Sequence, residues 1–84
     1  MKNVKEYYSE NCIKAEGSVE NGKKEGLWIF YYPDGKKNKE INYKEGIENG
    51  IWLMWHENGN LYIEQSKING KSNGLWKEYY ENGK

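Results

Sequence analysis

The sequence predicts an all-β protein: a single-layer antiparallel meander of tandem 24-residue β-hairpin repeats, about seven strands, twisted and curved. Three observations lead there. The chain matches itself at a spacing of 24 residues without an insertion. Each repeat holds an aromatic and β-branched run suited to a pleated strand. Each such run ends at an Asp-Gly or Asn-Gly pair, the strongest two-residue hairpin signal, because both central positions of a type I′ turn take positive φ.

The 84 residues form one domain, residues 1–84, divided by the repeat. A degenerate unit covers 2–25, full units cover 26–49 and 50–73, and a partial unit covers 74–84. Gly26, Gly50 and Gly74 align, as do Val4, Trp28, Trp52 and Trp76. Tyr7, Tyr31, Trp55 and Tyr79 form one aromatic column, and Tyr8, Tyr32, His56 and Tyr80 a second. Glu16, Glu40 and Glu64 form an acidic column.

The outgoing strands are expected at Leu27 to Tyr32 and Ile51 to His56, and the return strands at Ile13 to Glu20, Lys37 to Lys44 and Leu61 to Ile68. Asp34-Gly35, Asn58-Gly59 and Asn82-Gly83 are expected as the tight turns. Pro33 stands just before its turn, where a strand can spare an amide donor. Asn21 to Gly26, Glu45 to Gly50 and Asn69 to Gly74 carry Gly near both ends and are expected as longer loops.

A two-residue loop at Asp34-Gly35 would set Tyr32 opposite Lys37, Phe30 opposite Lys39 and Trp28 opposite Ile41. Directly opposed residues share a face. One face then carries Trp28, Phe30, Tyr32, Ile41 and Tyr43, followed by Trp52, Met54, His56, Leu61 and Ile63. It is the more apolar face and the expected core. The other carries Leu27, Ile29, Tyr31 and Glu40, followed by Ile51, Leu53, Trp55, Tyr62 and Glu64. A β-bulge would invert part of this assignment. One layer of sheet cannot bury both faces, so apolar surface is expected to remain for contact with something else.

Composition narrows the function. Lys+Arg and Asp+Glu stand at 13 each, and every cation is Lys. Nucleic-acid binders show a basic balance and an Arg-bearing face, which argues against that class. A polybasic membrane anchor lacks support for the same reason. Aromatic residues reach 15%, too high for a disordered chain. The single cysteine, Cys12, forms no internal disulfide and fits a reducing compartment. Met1 to Glu6 holds no apolar stretch, and no 18-residue apolar run exists. No signal peptide or membrane-spanning segment is visible, and the expected location is cytoplasmic.

The recurrent pattern G-x-W-x-x-Y-Y-x-x-G-K, followed by a strand and N-G-x-x-x-G, resembles the bacterial variant of the MORN repeat, from about Tyr7 to Lys84. The resemblance implies a curved sheet of stacked hairpins used for binding. Many bacterial relatives resemble antitoxins of toxin–antitoxin or polymorphic-toxin systems; eukaryotic relatives are associated with lipid contacts and protein scaffolding. Val4 in place of Trp and Asn11 in place of Gly depart from the pattern in the first unit. A terminal unit that caps the stack would differ in this way; the alternative is one section of a longer array.

No residue pattern points to catalysis, a cofactor or a metal. His56 takes the place of a tyrosine in its column, which reads as packing rather than a catalytic base. Cys12 has only Lys14 as a neighbouring cation, a poor setting for a reactive thiol. Neighbouring members of the glutamate column stand about 9.6 Å apart by strand spacing. Carboxylate ligands sit roughly 2 to 2.6 Å from a metal, so two such glutamates cannot share an ion. They read as acceptors for Tyr, Trp or Lys donors, or as contacts for a basic partner.

The aromatic row suits binding, because Tyr and Trp are enriched in hot spots. The candidate partner-binding residues are Tyr7, Tyr31, Trp55, Tyr79, Glu40, Glu64 and Tyr62. The expected function is a non-catalytic protein-binding module, in the antitoxin or immunity-like class, covering a protein partner such as a toxin. The alternatives are a sheet that binds lipid headgroups or carbohydrate, and a scaffold that self-associates.

Overall fold

The computed structural model describes residues 2–80, of which Leu75 is described for its backbone alone. Seven strands follow one another in chain order: β1 (Lys2–Ser9), β2 (Cys12–Glu20), β3 (Lys23–Tyr31), β4 (Lys37–Lys44), β5 (Ile47–Trp55), β6 (Leu61–Ile68) and β7 (Lys71–Glu78). Each pairs antiparallel with the next, and β1 and β7 do not meet, so the sheet is open. Its extents are 39 × 35 × 12 Å. A second layer would need about 10 Å more thickness, so the sheet stands alone.

The turns exchange the roles the sequence suggests for them. The connections expected as longer loops are two-residue turns. Asn21-Gly22, Glu45-Gly46 and Asn69-Gly70 all take positive φ, near 52° and 80°, the type I′ signature. Strands β3, β5 and β7 therefore begin three residues before the glycines at 26, 50 and 74. Those glycines lie inside the strands as bulges; Gly26 has φ 77° and Gly50 has φ 112°. At each bulge the register slips by two residues, as between Glu16–Ile29 and Ser18–Glu25.

The turns expected to be tight are three residues long. Gly35 N–H donates to Tyr32 O at 2.9 Å, and Tyr32 N–H donates to Lys36 O at 2.8 Å. Only Gly35 takes positive φ, at 92°, so Pro33-Asp34-Gly35 is a type I turn closed by a glycine bulge. Pro33 presets the φ of the first turn position. The Asp34 carboxylate accepts from Lys36 N–H. Glu57-Asn58-Gly59 repeats the arrangement. The third such pair, Asn82-Gly83, lies outside the described residues.

This extra residue alters the expected pairing near the turns. Trp28 faces Ile41 and Phe30 faces Lys39 as expected, but Lys37 faces Tyr31 rather than Tyr32. In the next hairpin Trp55 faces Leu61, and Tyr62 falls in the bulge. Leu61 thus joins the face of Trp55, and Tyr62 turns to the other, its ring 4.2 Å from that of His56. The two residues change places because the register slips by one beside a three-residue turn.

The core is one row across the sheet. Val4, Gly17, Trp28, Ile41, Trp52, Gln65 and Trp76 follow one another from β1 to β7 on a single face. Every second residue is a large one, and the spacers are Gly, Ile and Gln. Trp28 is 1% exposed, Ile41 4% and Gln65 3%. Ala15, at 0%, lies in the next row on the same face, across from Phe30.

A single layer buries Trp28 by laying its ring over Gly17, where a Cβ would fall inside the indole. Trp28 Nε1–H donates to Ser18 O at 2.8 Å, which satisfies the buried donor. The ammonium of Lys24 lies 5.2 Å from the Trp28 ring centre and 5.5 Å from that of Tyr43, and covers the outer side. Gln65, buried but polar, accepts from Ser72 Oγ.

A second interaction joins each repeat to the next. Tyr8 OH donates to Tyr31 O at 2.8 Å, and Tyr32 OH to Trp55 O at 2.7 Å. In the third repeat His56 Nε2 lies 2.9 Å from Tyr79 O. An imidazole with its proton on Nε2 makes the bond that the tyrosine hydroxyl makes elsewhere, so His56 is a structural stand-in.

Gly17→Ala is therefore expected to destabilise the protein by about 1–3 kcal/mol, the cost of forcing volume into a packed site. Urea unfolding followed by tryptophan fluorescence measures this. An unchanged midpoint would mean that Trp28 does not rest on Gly17.

Candidate binding face

The face opposite the tryptophan row carries an ordered set of side chains. Lys5, Glu16, Ile29, Glu40, Leu53, Glu64 and Lys77 oppose one another directly across all seven strands. The 24-residue period sets this alternation: the two full repeats each supply an outgoing aliphatic, Ile29 or Leu53, and a returning glutamate, and the outer units place Lys5 and Lys77 at the outgoing position. Leu27 and Ile51, one row along, are 47% and 45% exposed. The buried residues among those described, Ala15, Trp28, Ile41 and Gln65, lie on the other side of the sheet.

Tyr31 and Trp55 stand at the ends of β3 and β5 on this second face. Tyr31 OH donates to the Glu16 carboxylate at 2.8 Å. Lys37 reaches Glu40 at 2.8 Å and holds its ammonium 5.5 Å from the Trp55 ring centre. Such a half-exposed ion pair contributes little to stability, about 0–1 kcal/mol. Its effect is positional: the charge of Glu40 and the ring of Trp55 are held around one cation. The glutamates at 16 and 40 act as acceptors for in-chain donors. Glu64 lies across from Lys77.

The candidate residues do not all come together. Tyr31, Trp55, Glu40 and Glu64 share one face. Tyr7, on β1 across from Ile13, is 54% exposed. Tyr62 lies on the tryptophan face beside His56. Tyr79, just past β7, accepts from His56 through its carbonyl and lines an open hollow with His56 and Tyr62. Lys37 is a residue that sequence reasoning missed. Its column positions are Ile13 and Leu61, so no periodic signal marks it; only the three-residue turn brings it to Trp55.

Among the described residues no group of three or more His, Cys, Asp or Glu is placed to hold a metal ion. No helix among them is long and apolar enough to cross a membrane. Cys12 Sγ contacts the Pro33 carbonyl at 3.0 Å.

Burial raises the Tyr31 hydroxyl above its ordinary value, with the hydrogen bond to Glu16 and the charges of Glu16 and Glu40 acting in the same direction. Tyr32 is raised by burial and by the charges of Glu57 and Asp34. Tyr43 is raised by burial and by Glu48.

The sequence pattern of the MORN repeat variant matches residues 24–45, 48–66 and 72–84, more than half of the chain. The chain belongs to that family. No curated protein and no solved structure matches it. MORN repeats are in general binding modules, engaging proteins or membrane lipids.

The raised tyrosines fix a pH dependence. A group whose folded pKa exceeds its unfolded value, about 10 for tyrosine, is fully stabilising below that value. That contribution is lost as pH rises through the folded pKa. Stability is expected to hold between pH 7 and 9 and to fall above about pH 10. Tyr43→Phe should flatten the fall in urea titrations; an identical slope would contradict the assignment for Tyr43.

Proposed function

We propose that the protein is a non-catalytic protein-binding module whose partner docks on the Tyr31–Trp55 face. One observation carries this reading: the Glu16–Ile29–Glu40–Leu53–Glu64 row alternates acid and aliphatic groups on the face that the core leaves uncovered. Exposed Leu27 and Ile51 extend its apolar part. The partner that fits such a surface has apolar contacts flanked by lysine or arginine. Electrostatic complementarity of this kind speeds encounter and fixes register more than it adds affinity, so the aromatic residues are expected to supply the binding energy. Within this class, the resemblance to bacterial antitoxins makes a small basic toxin the first partner to try.

Tyr31→Ala combined with Trp55→Ala is expected to weaken the partner complex by at least about 2 kcal/mol, the hot-spot scale. The chain should still unfold cooperatively, since neither ring belongs to the buried row. Isothermal titration against a partner co-purified from the native host reads the affinity, and circular dichroism reads the fold. Unchanged affinity in a folded double variant would remove this face from the interface. Recovery of lipid or glycan in place of protein would remove the protein-binding reading.

A further inference from the structure

The tryptophan face shows a consistent habit. Four of its aromatic rings, Tyr8, Trp28, Tyr43 and Trp52, and that of Trp55 behind it, are covered by lysines of the chain itself. Lys24 covers Trp28 and Tyr43, Lys67 covers Trp52, Lys37 covers Trp55 and Lys14 covers Tyr8, all with the ammonium 5.2 to 5.9 Å from a ring centre. The aromatic cluster beside β7 has no lysine of the described residues over its rings, and it surrounds a hollow. Among the described residues His56, Tyr62, Tyr79 and Tyr80 line a hollow of about 490 Å³, together with the carboxylate of Glu78. The volume lies within the range of small-ligand sites.

We propose that this hollow binds an alkylammonium cation, presented by a lysine or methylated lysine side chain of another protein. The ring faces offer negative quadrupoles, and cations are attracted to them within about 6 Å of the centre. Two hydrogen bonds fix the chain around the hollow. Tyr79 N–H donates to Tyr62 O at 2.8 Å, and His56 Nε2 lies 2.9 Å from Tyr79 O. These contacts set the stacked His56–Tyr62 pair as one wall, while Tyr80, 77% exposed, stands at the rim.

Glu78 supplies the full charge. One of its oxygens accepts from Trp76 Nε1 at 2.9 Å, and the carboxylate keeps a second oxygen for the ligand. That charge also selects the source: it repels the phosphate of a choline lipid headgroup and does not oppose a lysine. The site is on the side of the sheet away from the Glu16–Glu64 row and stands independently of the partner proposed for it.

Two-dimensional amide NMR of the whole protein tests the assignment. The probes are tetramethylammonium chloride, a short peptide carrying Nε-trimethyl-lysine, phosphocholine, and the neutral isostere 3,3-dimethyl-1-butanol. Saturable shifts at residues 56, 62 and 78–80 are expected with the first two, about fivefold weaker with the neutral isostere. Glu78→Gln keeps the acceptor for Trp76 and should weaken the cation about threefold or more, and Tyr80→Ala should act similarly without touching the core. An equal response to the neutral isostere, an absence of saturable shifts, or unchanged affinity in both folded variants would overturn the site. Tighter binding of phosphocholine than of the peptide would overturn the lysine source.

Discussion

The contact between the Trp28 ring and the bare backbone of Gly17 is the constraint on which the rest depends. A sheet with no second layer must find cover for its core within itself. Trp28 finds it on three sides: Gly17 beneath, Ile41 beside it across β4, and the Lys24 ammonium over its face. Truncating a buried tryptophan costs about 3–5 kcal/mol, a large share of what an 84-residue chain has to spare. The bulge at Gly26 is part of the same device. It slips the register by two residues and lets the indole lie flat on the neighbouring strand.

From that row the two faces acquire different tasks. The tryptophan face is consumed by folding at its centre and more open toward β7, where Trp76 is 52% exposed. Among the described residues the reverse face contributes none of the buried core. It can therefore carry exposed leucine and isoleucine between glutamates, an arrangement that a core could not accept because of the desolvation of the carboxylates. The tyrosine column binds repeat to repeat through backbone carbonyls and leaves the first aromatic column, Tyr31 and Trp55, outside the core.

Much of this was legible in the sequence. The 24-residue phase gives the meander, the direction of every strand and the identity of the core face, and Trp28 opposite Ile41 is where the pattern puts it. The turns were not legible. Asn-Gly occurs in both kinds of turn, at Asn21-Gly22 and Asn69-Gly70 as well as at Asn58-Gly59, and the dipeptide alone does not distinguish a two-residue loop from the end of a three-residue one. The strand glycines at 26, 50 and 74 look like boundaries although they are bulges. These local errors moved Tyr62 from one face to the other and concealed Lys37. The column of Tyr8, Tyr32 and His56 was visible as packing; its role as a latch depends on a carbonyl 23 residues on, which carries no side-chain signal.

Native-state amide exchange tests the central claim most directly, since it reads local stability along the chain. If the sheet is held from the Trp28 row, the slowest amides are those of Ala15, Trp28 and Ile41, exchanging only by global unfolding, and protection declines toward both β1 and β7. Equal protection across all seven strands, or greatest protection at β7, would contradict an account in which one tryptophan on one glycine holds the layer together.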